Sequence, residues 1–294
     1  MTRPATGQVD PEDPFRGNYM LGENSEIVVV TGSNGNARIS IVDATGDITD
    51  SGLSEVYSHQ VEAPWGIYGN TEQVDIVTGD FNNDGFEEFA GVWPGADSTV
   101  TLYIPEIDPE TLNWTNAVKK SVQEDSFPKL NMEDTFPLRG WIRAVSGQFD
   151  DDNEPELLVA YWADTGDPEG GPIQIIIYDT DGSLTPRPVA EIANRNLLPF
   201  AEDGGRNLRY STRFDVATGD FDGDGTDEIF LVHPEPGPVR FGNVGWKMVA
   251  SIYDVDNGQI SEVISSPVIN QFDDPIEYAG NMNEFIQRLG IASG

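Results

Sequence analysis

Apolar residues along this chain come in short bursts, each bounded by acidic, glycine or proline positions. The clearest are "EIVVV" (26–30), "ARISIVD" (37–43), "EFAGVW" (88–93), "STVTLYIP" (98–105), "ELLVAYW" (156–162), "IQIIIYD" (173–179), "EIFLV" (228–232) and "KMVASIYD" (247–254). Bursts of this length, rich in β-branched and aromatic residues, predict strands rather than helices. Two of them run into the turn phrases "DTDG" (179–182) and "DVDNG" (254–258), which favour hairpins. "NMNEFIQRLG" (281–290) is the one segment with a helical pattern. The pattern predicts an all-β protein.

The bursts recur in a fixed order. A phrase of small or apolar residues, then Ser or Thr, then Gly, appears as "PATG" ending at Gly7, "IVTG" at Gly79, "AVSG" at Gly147, "VATG" at Gly219 and "IASG" at Gly294. Four units follow, about 7–78, 79–146, 147–218 and 219–293. Each reads as strand A (the phrase), a loop, strand B, strand C and a weaker strand D such as "QISEVIS" (259–265). About 70 residues is too short for a sandwich of seven strands. Four-stranded units at this period predict a β-propeller, one radial antiparallel blade per unit, over a single region 1–294. Because strand-A phrases stand at both ends, the expectation is a slice of a longer array; a self-contained four-blade ring is the alternative.

The loop between strands A and B carries the chemistry. In the fourth unit, numbering from Asp220, acids fall at positions one, three, five and nine: Asp220, Asp222, Asp224 and Glu228. Gly225 holds position six, where a sharp reversal needs positive φ. Alternate acids in a tight turn repel one another unless a cation sits among them. Calcium takes six to eight oxygens, which such a loop can supply, with the Thr226 carbonyl at position seven. The second unit matches through Asp80, Asn82, Asp84, the Phe86 carbonyl and Glu88, with Gly85 at six. The third is a weaker match: Gln148 replaces the first Asp and Asn153 the Gly, while Asp150, Asp152, Glu154 and Glu156 keep positions three, five, seven and nine. The first unit breaks the spacing. Two Ca2+ sites are expected, with a third, degenerate one at 148–156.

These loops resemble the calcium-binding FG-GAP and VCBS repeats of integrin α-subunit propellers and of many secreted microbial proteins. The family pattern is Asp-x-Asp/Asn-x-Asp-Gly-x-x-Asp between apolar strands; this chain departs from it with Glu at position nine. The resemblance implies a propeller whose calcium ties strands A and B together. Its members include adhesion receptors, lectins, carbohydrate lyases and toxin-associated propellers, so it implies fold and metal far better than function.

Composition narrows the function classes. With 51 acidic against 16 basic residues the formal charge is −35, which argues against nucleic-acid binding and against an anionic membrane surface. There is no Cys, which removes disulfides, thiol catalysis and Cys-based metal sites, and only two His, His59 and His233. No apolar run approaches a membrane span. Calcium of ordinary affinity implies an extracellular or cell-surface setting. In a meander the A–B and C–D turns share one face, leaving the B–C and D–A connections on the other. Strand B ends there in large rings, Trp93, Tyr161 with Trp162, and His233. Six of the 12 Arg approach strand A, among them Arg139, Arg143, Arg209 and Arg213. Aromatic platforms and Arg forks suit glycans and carboxylates. The expected function is therefore a binding or adhesion module for a glycan or protein ligand, with further blades or domains as other partners. A propeller polysaccharide lyase or hydrolase on the same face is the alternative, although no GxSxG or HExxH motif is present.

Overall fold

The computed structural model describes residues 3–6, 27–33, 36–44, 53–62, 75–83, 87–94, 99–107, 114–123, 142–150, 152, 154–162, 173–180, 184, 187–194, 214–240 and 243–269. Those residues form four antiparallel sheets of four strands each, every sheet a meander in chain order. The first holds β1 (Arg3–Thr6), β2 (Ile27–Ser33), β3 (Asn36–Ala44) and β4 (Leu53–Glu62). The second holds β5 (Asp75–Gly79), β6 (Glu88–Pro94), β7 (Thr99–Ile107) and β8 (Trp114–Gln123). The third holds β9 (Ile142–Gly147), β10 (Glu156–Trp162), β11 (Ile173–Asp179) and β12 (Arg187–Asn194). The fourth holds β13 (Asp215–Gly219), β14 (Glu228–Arg240), β15 (Asn243–Asp256) and β16 (Gln259–Ile269). No helix occurs among the described residues, and the helical pattern at 281–290 lies outside them.

The all-β class and the four-strand unit thus match the sequence pattern. The first four recurring phrases form the first strands of the four sheets, the fifth (291–294) lying outside the described residues, and these first strands lie side by side: β1 against β5, β5 against β9, β9 against β13. One register explains the loop spacing. Gly79 pairs with Glu88, Gly147 with Glu156 and Gly219 with Glu228, so each acidic loop is the link between a matched cross-strand pair.

The third sheet is packed on both faces, and the two-residue period of a strand sorts its side chains. Ile173, Ile175 and Ile177 of β11, with Leu158 and Ala160 of β10, pack against Val216, Ile229, Leu231 and Tyr253 of the fourth sheet. Ile176 and Tyr178, with Leu157, Val159 and Tyr161, face Val92, Leu102 and Ile104 of the second. Every residue of β11 is buried as a result. That explains why "ELLVAYW" and "IQIIIYD" are nearly continuous apolar runs rather than alternating ones.

The fourth sheet departs from expectation in one place. The sequence pattern ends strand B of this unit at His233, yet β14 and β15 stay paired from Ile229↔Tyr253 out to Arg240↔Asn243. The prolines are accommodated by a register shift between Pro236 and Val239. His233 is consequently a strand residue, paired with Val249 and 1% exposed, not a loop residue at a binding face.

Candidate metal centres

Loop geometry begins with the phenylalanine at position two. In all three acidic loops its backbone N–H donates to Oε2 of the glutamate at position nine: Phe81 to Glu88 at 3.0 Å, Phe149 to Glu156 at 2.7 Å and Phe221 to Glu228 at 2.7 Å. Its ring folds back over the glycine that ends the preceding strand. A Cβ on Gly79 would stand 3.1 Å from the Phe81 ring, and one on Gly147 would stand 2.9 Å from Cζ of Phe149. This is a demand for space, so the phrase must end in Gly. The glutamate closes the loop from the far strand, and in the third loop it also lies within 4.8 Å of Asp150 and Asp152.

In the fourth loop the carboxylates curl the backbone around themselves. Asp220 Oδ1 accepts from the N–H of Gly223 at 2.6 Å and of Asp224 at 3.1 Å, and its Oδ2 accepts from Gly225 at 3.2 Å. Asp222 accepts from the Asp224 amide at 3.1 Å, and Asp224 from the Thr226 amide at 2.9 Å and hydroxyl at 2.7 Å. Those last two bonds hold the Asp224 carboxyl below its ordinary pKa. Gly225 adopts φ 103°, as position six requires. Asp220, Asp222 and Asp224 bring one oxygen each within 4.8 Å of the others, all exposed. Glu228, buried at the rim, has its pKa raised by that burial and by the three aspartates.

The third loop repeats this scaffold despite its substitutions. Asp150 accepts from the Asp152 amide at 2.9 Å, and Asp152 from the Glu154 amide at 2.7 Å, the same steps as in the fourth. Asp150, Asp152 and Glu156 also converge within 4.8 Å. Glu156 is 2% exposed, and its Oε1 makes no hydrogen bond. Burial, reinforced by the Asp150 and Asp152 charges, pushes this carboxyl up to about 8. A buried, unpaired carboxylate oxygen facing two further acids fits a hard cation with oxygen ligands. Gln148 behaves differently from expectation. Its Nε2 donates to the carbonyls of Asp150 at 3.0 Å and Asp152 at 2.5 Å, so its amide nitrogen, not its oxygen, faces the loop.

In the second loop Asn82 donates from Nδ2 to Glu88 Oε1 at 3.1 Å. Asp80 lies at its start, while Asp84, Gly85 and Phe86 fall outside the described residues.

The proposed ligand face fares differently residue by residue. Trp93 has no exposed surface; it lies 5.7 Å from Tyr103 between ring centroids and folds over Gly91. A ring so covered offers no platform to a sugar, which corrects that expectation. Arg143 is 4% exposed and pairs through Nε with Asp215 Oδ1 at 3.0 Å, bridging β9 to β13. Its guanidinium serves the fold, not a ligand. Arg139, Arg209 and Arg213 lie outside the described residues, and Trp162 is described only as the last residue of β10.

Sequence reasoning missed the polar contacts between sheets. Ser146 Oγ donates to the Thr78 carbonyl at 2.8 Å, and Thr218 Oγ1 to the Ser146 carbonyl at 2.6 Å. The hydroxyl of each phrase therefore reaches the same position of the preceding one. Asp227 clasps the third loop: its Oδ2 accepts from the Gln148 amide at 2.9 Å, and its own amide donates to the Gln148 carbonyl at 2.6 Å. Thr180, just after β11, donates to the Phe81 carbonyl in the second loop. The recurrence of a hydroxyl before Gly was the available signal. Compared with protein-family models and with curated protein sequences, the chain matches no family and no curated protein.

Proposed function

We propose that this chain is a calcium-stabilised β-propeller region that works outside the cell as a binding module for a glycan or protein. The observation that carries the metal assignment is the repeat itself. In the acidic loops of the third and fourth sheets three carboxylates converge within 4.8 Å, at positions three, five and nine in the third and at one, three and five in the fourth. Asp220, Asp222, Asp224 and Glu228 would hold one ion, and Asp150, Asp152 and Glu156 another. Asp80, Asn82 and Glu88 start and close a third loop of the same kind. All donors are oxygen and several are charged, which favours calcium over softer metals. Each ion would lie where strand A hands over to strand B, and so would act as a staple. The side-by-side first strands support the radial arrangement of a propeller.

The binding role rests on the opposite face. With Trp93 and Arg143 committed to packing, it narrows to Trp162, Arg139, Arg209 and Arg213. A panel of neutral and acidic polysaccharides in millimolar calcium, read for both retention and cleavage, tests it. Retention without products supports the binding module. Release of reducing or unsaturated ends would replace it with the lyase or hydrolase. Neither result with any polymer would remove the glycan and leave a protein ligand.

A further inference from the structure

In the third and fourth acidic loops, the residue at position eight reaches back to the sheet before it. In the third loop that residue is Pro155, whose Cγ stands 3.1 Å from a Cβ built on Gly79 of the second sheet. In the fourth it is Asp227, whose Oδ2 stands 3.1 Å from a Cβ built on Gly147 of the third. Both lean on the glycine just before the preceding loop, but they differ in what they can bond. Proline has no N–H and no side-chain acceptor. Asp227 uses both: Oδ2 accepts from the Gln148 amide at 2.9 Å, and its own amide donates to the Gln148 carbonyl at 2.6 Å.

Those two bonds join residues that belong to different candidate sites. Asp227 lies between Thr226 and Glu228, positions seven and nine of the fourth loop. Gln148 is position one of the third, and its Nε2 donates to the carbonyls of Asp150 and Asp152, at positions three and five, with lengths of 3.0 and 2.5 Å. Glu156, 2% exposed and with Oε1 unpaired, lies in the same cluster as those two aspartates. A run of bonds therefore leads from the fourth loop, through Asp227 and Gln148, to Asp150 and Asp152. An ion that fixes Thr226 and Glu228 also fixes Asp227, which leaves the third loop less freedom to lose when its own ion binds.

We infer that Asp227 couples the third and fourth loops, so that calcium in either one tightens binding in the other. The inference rests on the calcium assignment above and adds its regulation: these two sites fill together, while the second loop, met by Pro155, fills independently of them. Repulsion between the two ions works against coupling, but each ion is outnumbered. Three carboxylates in the third loop (Asp150, Asp152, Glu156) and four in the fourth (Asp220, Asp222, Asp224, Glu228) face a charge of two, so neither loop turns positive on filling.

Backbone amide resonances of the full chain, followed through a calcium titration, test this in about 0.15 M salt, which damps the field of one loop at the other. The Phe81, Phe149 and Phe221 amides, each bonded to the glutamate of its own loop, report the second, third and fourth sites in turn. Asp224→Ala should weaken the fourth site and also move the Phe149 midpoint to about fivefold higher calcium or more, leaving Phe81 unmoved. Coupling is reciprocal, so Glu156→Gln should move the Phe221 midpoint upward too. Asp227→Ala, or Asp227→Pro with the residue that the third loop carries at this position, should abolish the transmitted shift, so that the Phe149 midpoint no longer depends on Asp224. Either variant suffices if the other does not fold. A Phe149 midpoint that ignores Asp224→Ala while Asp227 is intact would overturn the coupling and leave the calcium sites standing. A shift that survives the Asp227 substitution, or that reaches Phe81 equally, would overturn the role of Asp227. Silence of all three amides at saturating calcium would overturn the calcium assignment itself, and the coupling with it.

Discussion

Glu156 concentrates the electrostatics of the third loop in one side chain. Its carboxyl is buried and unpaired through Oε1, beside Asp150 and Asp152, with compensation from the backbone amides of Phe149 and of Glu156 itself. A carboxyl whose folded pKa stands above its unfolded value holds its proton more tightly when folded. Stability of the metal-free protein should therefore fall as pH rises from about 4.5 toward about 8. A bound cation compensates the charge, so calcium should flatten that slope. Melting curves across this range, with and without a chelator, check both statements. Glu156→Gln should raise stability of the metal-free protein at pH 8 by about 1–3 kcal/mol, since it removes the buried charge, and should weaken the calcium response. Asp224 differs from Glu156: it is exposed and already satisfied by Thr226, so Asp224→Ala should act on calcium binding more than on the metal-free fold. Phenylalanine at position two gives a second contrast. Phe81→Ala should cost about 3–5 kcal/mol in denaturant titration, while half-exposed Phe221→Ala should cost about 1 kcal/mol or less.

Among the elements, the short first strands bind the sheets together. Gly147→Ala would push a methyl group against Phe149, Asp227 and Thr218, two of them from the next sheet, and should cost about 1–3 kcal/mol. Gly219→Ala meets only the Phe221 ring at 3.3 Å and should cost less. Arg143→Met should be milder than Arg143→Ala, because methionine keeps the packed stem; either removes the Arg143–Asp215 ion pair and should destabilise by about 3–5 kcal/mol at most. Strand identity and the loop positions were legible in the sequence because both are local: a two-residue period, and a glycine paired with the glutamate nine residues on. The bonds between sheets were not, since Ser146 and Thr78, or Arg143 and Asp215, are 68 and 72 residues apart. Trp93 was misplaced because an aromatic ring ending a strand looks the same in sequence whether a neighbouring sheet covers it or not. The continuation of β14 past His233 was not legible either, because proline cannot donate to a ladder, although an irregular hairpin tolerates it.

On the scale of the whole molecule, four sheets joined through their short first strands carry an acidic loop at the same end of at least three of them. Each ion would fasten the first strand of a sheet to its second, beside the contacts that fasten one sheet to the next. The clasp of Asp227 on the third loop links these two kinds of contact, so ordering one loop should steady its neighbour. Gln148→Asp offers a gain-of-function check: replacing the amide with a carboxylate at position one should raise affinity at the third loop more than at the fourth. Isothermal titration of the variant against calcium reads this as tighter binding, chiefly at one site. The most direct measurement of the central claim is the melting temperature of the full chain in millimolar calcium and after chelation. A rise of about 5 °C or more with calcium, reversed by the chelator and diminished in Asp224→Ala and Glu156→Gln, is the expected result. An identical melting temperature with and without saturating calcium would contradict it and leave the acidic loops as solvated turns.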